Sequence, residues 1–167
     1  MKSDFFLGLE IHDVSIWDVK RTLHACDVME ERGYNALILH ENDLLDATTQ
    51  VGDNANFGVA DLRWKKVSNR LAWLNKLTKR LDQFGAKLYL EIKEPSFHDY
   101  LIESYPEILD DTGKVNALSH VWAQICREKT EQIIKNVPLL GGLIVTLSSP
   151  EARVSLQDYI ADTNKEV

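Results

Sequence analysis

Apolar residues recur with two different periods along this chain, and the two alternate. Residues 5–12 hold Phe5, Phe6, Leu7, Leu9 and Ile11 and read as a strand. Ile16, Val19, Leu23, Cys26 and Met29 follow at helical spacing and predict a helix over 15–32. Ser15 with Asp18 resembles a capping box at its start, and Gly33 ends it. A second strand covers 36–40, and a long polar stretch covers 41–66. The next helix spans 68–84, with Leu71, Leu74, Leu77, Leu81 and Phe84 on one side and Gly85 as its stop. A third strand at 87–92 leads to another long stretch, 93–118. A helix over 119–136 carries Trp122, Ile125, Cys126, Ile133 and Ile134 as its apolar positions, and Pro138 bars its continuation. A fourth strand lies at 142–147. Residues 148–167 read as a polar loop with a short final helix.

Strands alternating with helices imply right-handed crossovers and a parallel sheet. The fold class is therefore α/β, built as parallel β/α repeats. An open doubly wound sheet and a (β/α)₈ TIM barrel compete. A barrel takes roughly 250 residues, so the 167 residues here would be about half of one. The first βα turn, residues 12–15, has no glycine, and no Gly-x-Gly-x-x-Gly or P-loop pattern follows any strand. Period-2 alternation puts Glu10 and His12 on one face with Gly8, and Tyr89, Glu91 and Lys93 on one face of the third strand. Thr146 and Ser148 share a face with Gly142, and Ala36, Ile38, His40 and Asn42 form the inward set of the second strand. Small and charged residues down one face suit a barrel lumen, because a doubly wound sheet is covered on both faces and wants apolar residues on each.

Composition narrows the classes. The chain is 44% hydrophobic and 27% charged, as a globular domain is, and its length suggests a single domain over 1–167. No apolar run reaches the roughly 20 residues of a membrane helix, so no membrane partner is expected. The first apolar run is too short for a secretory signal, and no targeting segment is expected. With 26 acidic against 19 basic side chains the formal charge is −7, which speaks against a nucleic-acid partner. Cys26 and Cys126 sit among apolar residues and read as buried free thiols, which favours a reducing compartment such as the cytoplasm.

The helix-to-strand links are short, at 33–35, 85–86 and 137–141, whereas two strand-to-helix stretches are very long. In parallel α/β proteins the loops after the strands carry function. Every strand also ends in polar residues. The first ends in Glu10, His12 and Asp13, and the second in His40, Glu41, Asn42 and Asp43. The third ends in Glu91, Lys93 and Glu94, and the fourth in Thr146, Ser148, Ser149 and Glu151. A single such residue is ordinarily just solvated, and Glu91 with Lys93 or His12 could form a structural ion pair. Several on one parity of neighbouring strands point to a site. No His-x-His, His-Glu-x-x-His or Cys-x-x-Cys spacing supports a metal, and no cofactor signature is present. Phe57, Trp64, Phe97, Tyr100 and Tyr105 fall in the long stretches. Their rings could stack on a sugar or pin those stretches to the body. Asn42, Asp43, Asp53, Asn54 and Asn56 could bind hydroxyls or serve as turn residues.

The segment running from Tyr105 through Pro106, Glu107, Asp110 and Gly113 to Lys114 resembles one that barrel glycosidases carry after the third strand. Residues 32–37 and 142–148 are similar to such barrels as well. Across most of the chain the pattern resembles α-glucuronidase-like and β-hexosaminidase-like glycoside hydrolases. The resemblance implies the amino-terminal half of a (β/α)₈ barrel and a carbohydrate substrate. It also implies that Glu151, just past the fourth strand, is the general acid that protonates the leaving glycosidic oxygen. His12, His40, Glu91 and Lys93 would then position sugar hydroxyls or a carboxylate, with Lys93 suited to a uronic acid, and Trp64 would stack on the ring. The partner carboxylate belongs on a later strand. This chain is accordingly read as a fragment or as a half-barrel whose exposed edges can pair with a second copy in a homodimer. A non-catalytic sugar-binding half-barrel and a metal-dependent barrel hydrolase or isomerase are the rival readings.

Overall fold

The computed structural model describes residues 5–41, 44–50, 60–92, 99–114, 116 and 119–145. Strands β1 (Gly8–His12), β2 (Ala36–His40), β3 (Lys87–Ile92) and β4 (Leu140–Val145) form one sheet in the order β1-β2-β3-β4. All three pairings are parallel. The order has no reversal, whereas a doubly wound sheet reverses at a switch point. Parallel neighbours joined in sequence by right-handed crossovers place every crossover helix on the same face. The protein is thus a parallel α/β structure equivalent to about half of a (β/α)₈ barrel.

The helices are α1 (Val19–Arg32), α2 (Leu44–Thr48), α3 (Ala60–Asp82), α4 (Asp99–Ser104) and α5 (His120–Asn136). The core lies between sheet and helices. Leu37, Leu39, Leu88 and Leu90 pack against Cys26 and Met29 of α1, Leu74, Leu77 and Leu81 of α3, and Ile133 of α5. Each fully buried leucine contributes about 1.5–3 kcal/mol relative to exposure. Arg80 of α3 also reaches α1, bonding Glu30 at 2.6 Å and Asp27 at 3.1 Å.

Several boundaries differ from the sequence reading, each for a physical reason. The first helix starts at Val19, not Ser15. Asp18 is its N-cap and accepts from Lys20 N at 2.9 Å and Arg21 N at 3.1 Å. Residues Asp13–Trp17 form a 3₁₀ turn instead, which buries Ile16 completely and leaves Val19 exposed. Ser15 Oγ donates to His12 O at 2.9 Å, tying the turn to the strand end. The second long helix starts at Ala60 rather than 68, and α2 with α4 breaks up the two long stretches. The first strand is paired only from Gly8, and Phe5, Phe6 and Leu7 are exposed. On α5 the inward positions are Trp122, Ile125, Lys129 and Ile133. Ile134 is exposed and Cys126 only partly buried.

The fourth strand begins at Leu140, two residues early. Leu88 pairs with Leu140 and Tyr89 with Gly142, so Gly141 is the extra residue of a bulge. A Cβ there would lie 2.8 Å from both Lys87 Cβ and Tyr89 Cζ, and 3.0 Å from Leu88 O. Glycine is required by this close approach.

Burial pushes both thiols up, Cys26 to about 11 and Cys126 to about 11. The native protein should therefore stay unlabelled by a thiolate-selective reagent at pH 7.5, and both sites should label in denaturant. For a group raised on folding, the associated stability is fully present below the unfolded value of 9.0 and is lost as pH rises through about 11. Rapid labelling of either native thiol at pH 7.5 would contradict this.

Candidate functional site

The face opposite the described helices is built in layers set by the strand register. Glu10, Ile38, Tyr89 and Gly142 share one layer. The next layer toward the carboxyl ends of the strands holds His12, His40, Glu91 and Ile144. The parity read from the sequence is the one observed. Gly8 faces the Ile38 side chain, and Tyr89 meets the Phe6 ring edge-on at 5.2 Å between centroids.

Three of the residues expected at the site, His12, His40 and Glu91, stand in one row across β1, β2 and β3. The His12 and His40 rings meet edge-to-face, 5.6 Å between centroids and 72° between planes. His40 is buried, and its Nδ1 lies 3.4 Å from the Glu91 backbone carbonyl. His12 is half exposed, and its Nε2 lies 3.1 Å from Glu10 Oε1. Glu91 is buried beside them, 9% exposed. The row exists because each strand contributes its outermost paired position on one parity. It offers hydrogen-bonding groups of both kinds at a strand-end rim, the usual location for ligands in parallel α/β folds.

Trp64 does not join this row. It lies in α3 rather than in a loop and is partly buried. Lys93 and Glu151 lie outside the described residues, as do Asn42, Asp43, Asp53, Asn54, Asn56, Phe57, Phe97, Thr146, Ser148 and Ser149. Among the described residues no group of three or more metal-ligating side chains comes together, and no helix is long and apolar enough to cross a membrane.

Glu41 follows His40 on the opposite parity and turns away from the row. Its carboxylate accepts from Trp17 Nε1. Arg70 of α3 stacks over the Trp17 ring at 4.7 Å and donates to Ala47 O at 3.4 Å. Trp73 Nε1 donates to Ile16 O at 3.4 Å. These contacts fasten the turn after β1 and the segment after β2 to the same helix, so the backbone beside His12 and His40 is held on two sides.

The segment behind the glycosidase resemblance is a scaffold. Asp110 Oδ1 accepts from Thr112 Oγ1 at 2.7 Å, Thr112 N at 2.8 Å and Lys114 N at 3.0 Å. The Thr112 hydroxyl foremost, then the Lys114 amide, holds the Asp110 carboxyl below its ordinary value. Gly113 takes φ 79° to close the turn. Ile108 is fully buried against Trp122 and Ile125, with Tyr105 packed alongside. Tyr105 therefore pins its loop to the body.

A separate cavity of about 340 Å³ opens between α3 and α5, lined in part by Thr48, Ser68, Leu71 and Asn136. Gln50 N donates to Gln132 Oε1 at 2.8 Å and Gln132 Nε2 to Gln50 O at 2.6 Å, so these two residues at its wall satisfy each other.

No family model matches the sequence, and neither does any curated protein. Among solved structures the chain is similar to the cold-adapted beta-galactosidase from Rahnella sp. R3, with a TM-score of 0.51 and 15% identity. The match covers 86% of this chain and 22% of that one. At this identity the likeness is one of fold alone.

Proposed function

We propose that this chain forms the amino-terminal half of a glycoside hydrolase-type barrel, with its sugar site on the rim formed by the carboxyl ends of the strands. The observation that carries the reading is the row of His12, His40 and Glu91, in register on the face opposite the described helices. The fold shared with a beta-galactosidase supports it, as does the resemblance to α-glucuronidase-like and β-hexosaminidase-like enzymes. In this reading His12, His40, Glu91 and Lys93 position the sugar, Trp64 stacks on it, and Glu151 donates the proton to the leaving oxygen. A second carboxylate must flank the scissile bond. Four further strands, from a longer chain or from a second copy paired at the edges, would supply the place for it.

Hydrolysis of a panel of nitrophenyl glycosides, with sugar binding followed by tryptophan fluorescence, tests the proposal. Glu151→Gln is expected to lower turnover by about 10²–10⁴-fold and to leave sugar affinity within about threefold. Normal turnover in that variant removes Glu151 from the mechanism. Failure of every sugar to bind removes the carbohydrate reading altogether. The second reading is sugar binding without chemistry, and binding without turnover would establish it.

A further inference from the structure

The contacts of the two histidines determine where their protons sit. A backbone carbonyl only accepts, so the 3.4 Å approach of His40 Nδ1 to Glu91 O requires the proton on Nδ1. A carboxylate likewise only accepts, so Glu10 Oε1 at 3.1 Å from His12 Nε2 requires the proton on Nε2. A neutral imidazole carries one proton, so the other nitrogen of each ring presents a bare lone pair. Among the described residues neither His12 Nδ1 nor His40 Nε2 has a hydrogen-bond partner. The two rings are neighbours, at 5.6 Å.

We infer that His12 and His40 form a paired acceptor for two hydroxyl groups of an uncharged sugar, with His12 Nδ1 and His40 Nε2 as the accepting atoms. This rests on the carbohydrate reading above and narrows its substrate class. A hydroxyl donates to a bare nitrogen. The carboxylate of a uronic acid has no proton to donate, and its lone pairs oppose those of the rings. The Glu10 carboxylate, 3.1 Å from the His12 ring, disfavours an anionic group beside that ring further. Glu10 is a positioning residue: it selects the His12 tautomer and does not itself need to touch the sugar.

Two measurements test this on the full chain at pH 8.5, where an ordinary imidazole is neutral. Long-range nitrogen–proton NMR correlation should show His12 protonated at Nε2 and His40 at Nδ1. Calorimetric titration should show D-galactose or D-glucose binding at least tenfold more tightly than D-galacturonate or D-glucuronate. His12→Ala, at a half-exposed position that spares the fold, should weaken neutral-sugar binding about tenfold, and Glu10→Leu, which removes the acceptor, should change the His12 tautomer signature. Reversed tautomers at either ring overturn the clamp and leave the carbohydrate reading standing. Uronate binding as tight as the neutral sugar overturns the substrate class. Both tautomers as assigned with no sugar bound overturns the carbohydrate reading, and the clamp's ligand falls with it.

Discussion

Lys129→Met is expected to destabilise the protein by about 3–5 kcal/mol, as is Asp46→Leu, while the double variant should recover most of that loss. Lys129 Nζ donates to Asp46 Oδ1 at 2.7 Å, and the two side chains are only 4% and 3% exposed. The pair joins α5 to α2, whose buried Leu44 and Leu45 belong to the main core. Removing one partner strands a charge where water does not reach it, and that desolvation cost dominates. Replacing both with apolar side chains of similar volume removes the cost together with the attraction, so the net change is small. A urea-denaturation double-mutant cycle measures the coupling directly. Single-variant losses below about 1 kcal/mol, the range of exposed pairs, would show that water reaches the pair after all.

Trp122→Ala should cost about 3–5 kcal/mol, in the range for deletion of a large buried aromatic. Trp122 is 2% exposed and packs with Ile108 and Ile125 in a cluster separate from the main core. That cluster is what holds residues 105–114 against α5. The loss should therefore be local first: amide exchange of Leu109 and Asn116, both bonded within this loop, should accelerate more than that of Leu88 or Leu90 in β3. Chemical denaturation with hydrogen exchange reads both effects. Uniform acceleration across the sheet would mean that the loop and the main core unfold together.

The sheet and the three long helices were legible because their signals are local. Apolar runs of four to six residues that alternate with amphipathic stretches read as strands, and leucines at 74, 77 and 81 share one face of a helix. The parity of Glu10, His12 and Glu91 followed from the period of two, so the row of the candidate site was foreshadowed residue by residue. Ser15 and Asp18 are both good caps by sequence, and only the burial of Ile16 in the main core chooses between them. The amino-terminal turns of α3 show too little apolar periodicity to announce a helix. Lys129 reads as an outward position, because its partner Asp46 lies 83 residues away in sequence.

What the sequence by itself determined is therefore the order of the four strands and three long helices, the inward parity of β1, β2 and β3, and the wealth of polar groups at the strand ends. These depend on backbone periodicity and on residues within a few positions of one another. Only the tertiary structure decided the in-order sheet, the bulge at Gly141, the buried Asp46–Lys129 pair, and the meeting of His12 with His40. Each of those is a contact between elements distant in sequence. Its free energy depends on exclusion of water and on close approach, and neither exists until the chain has packed.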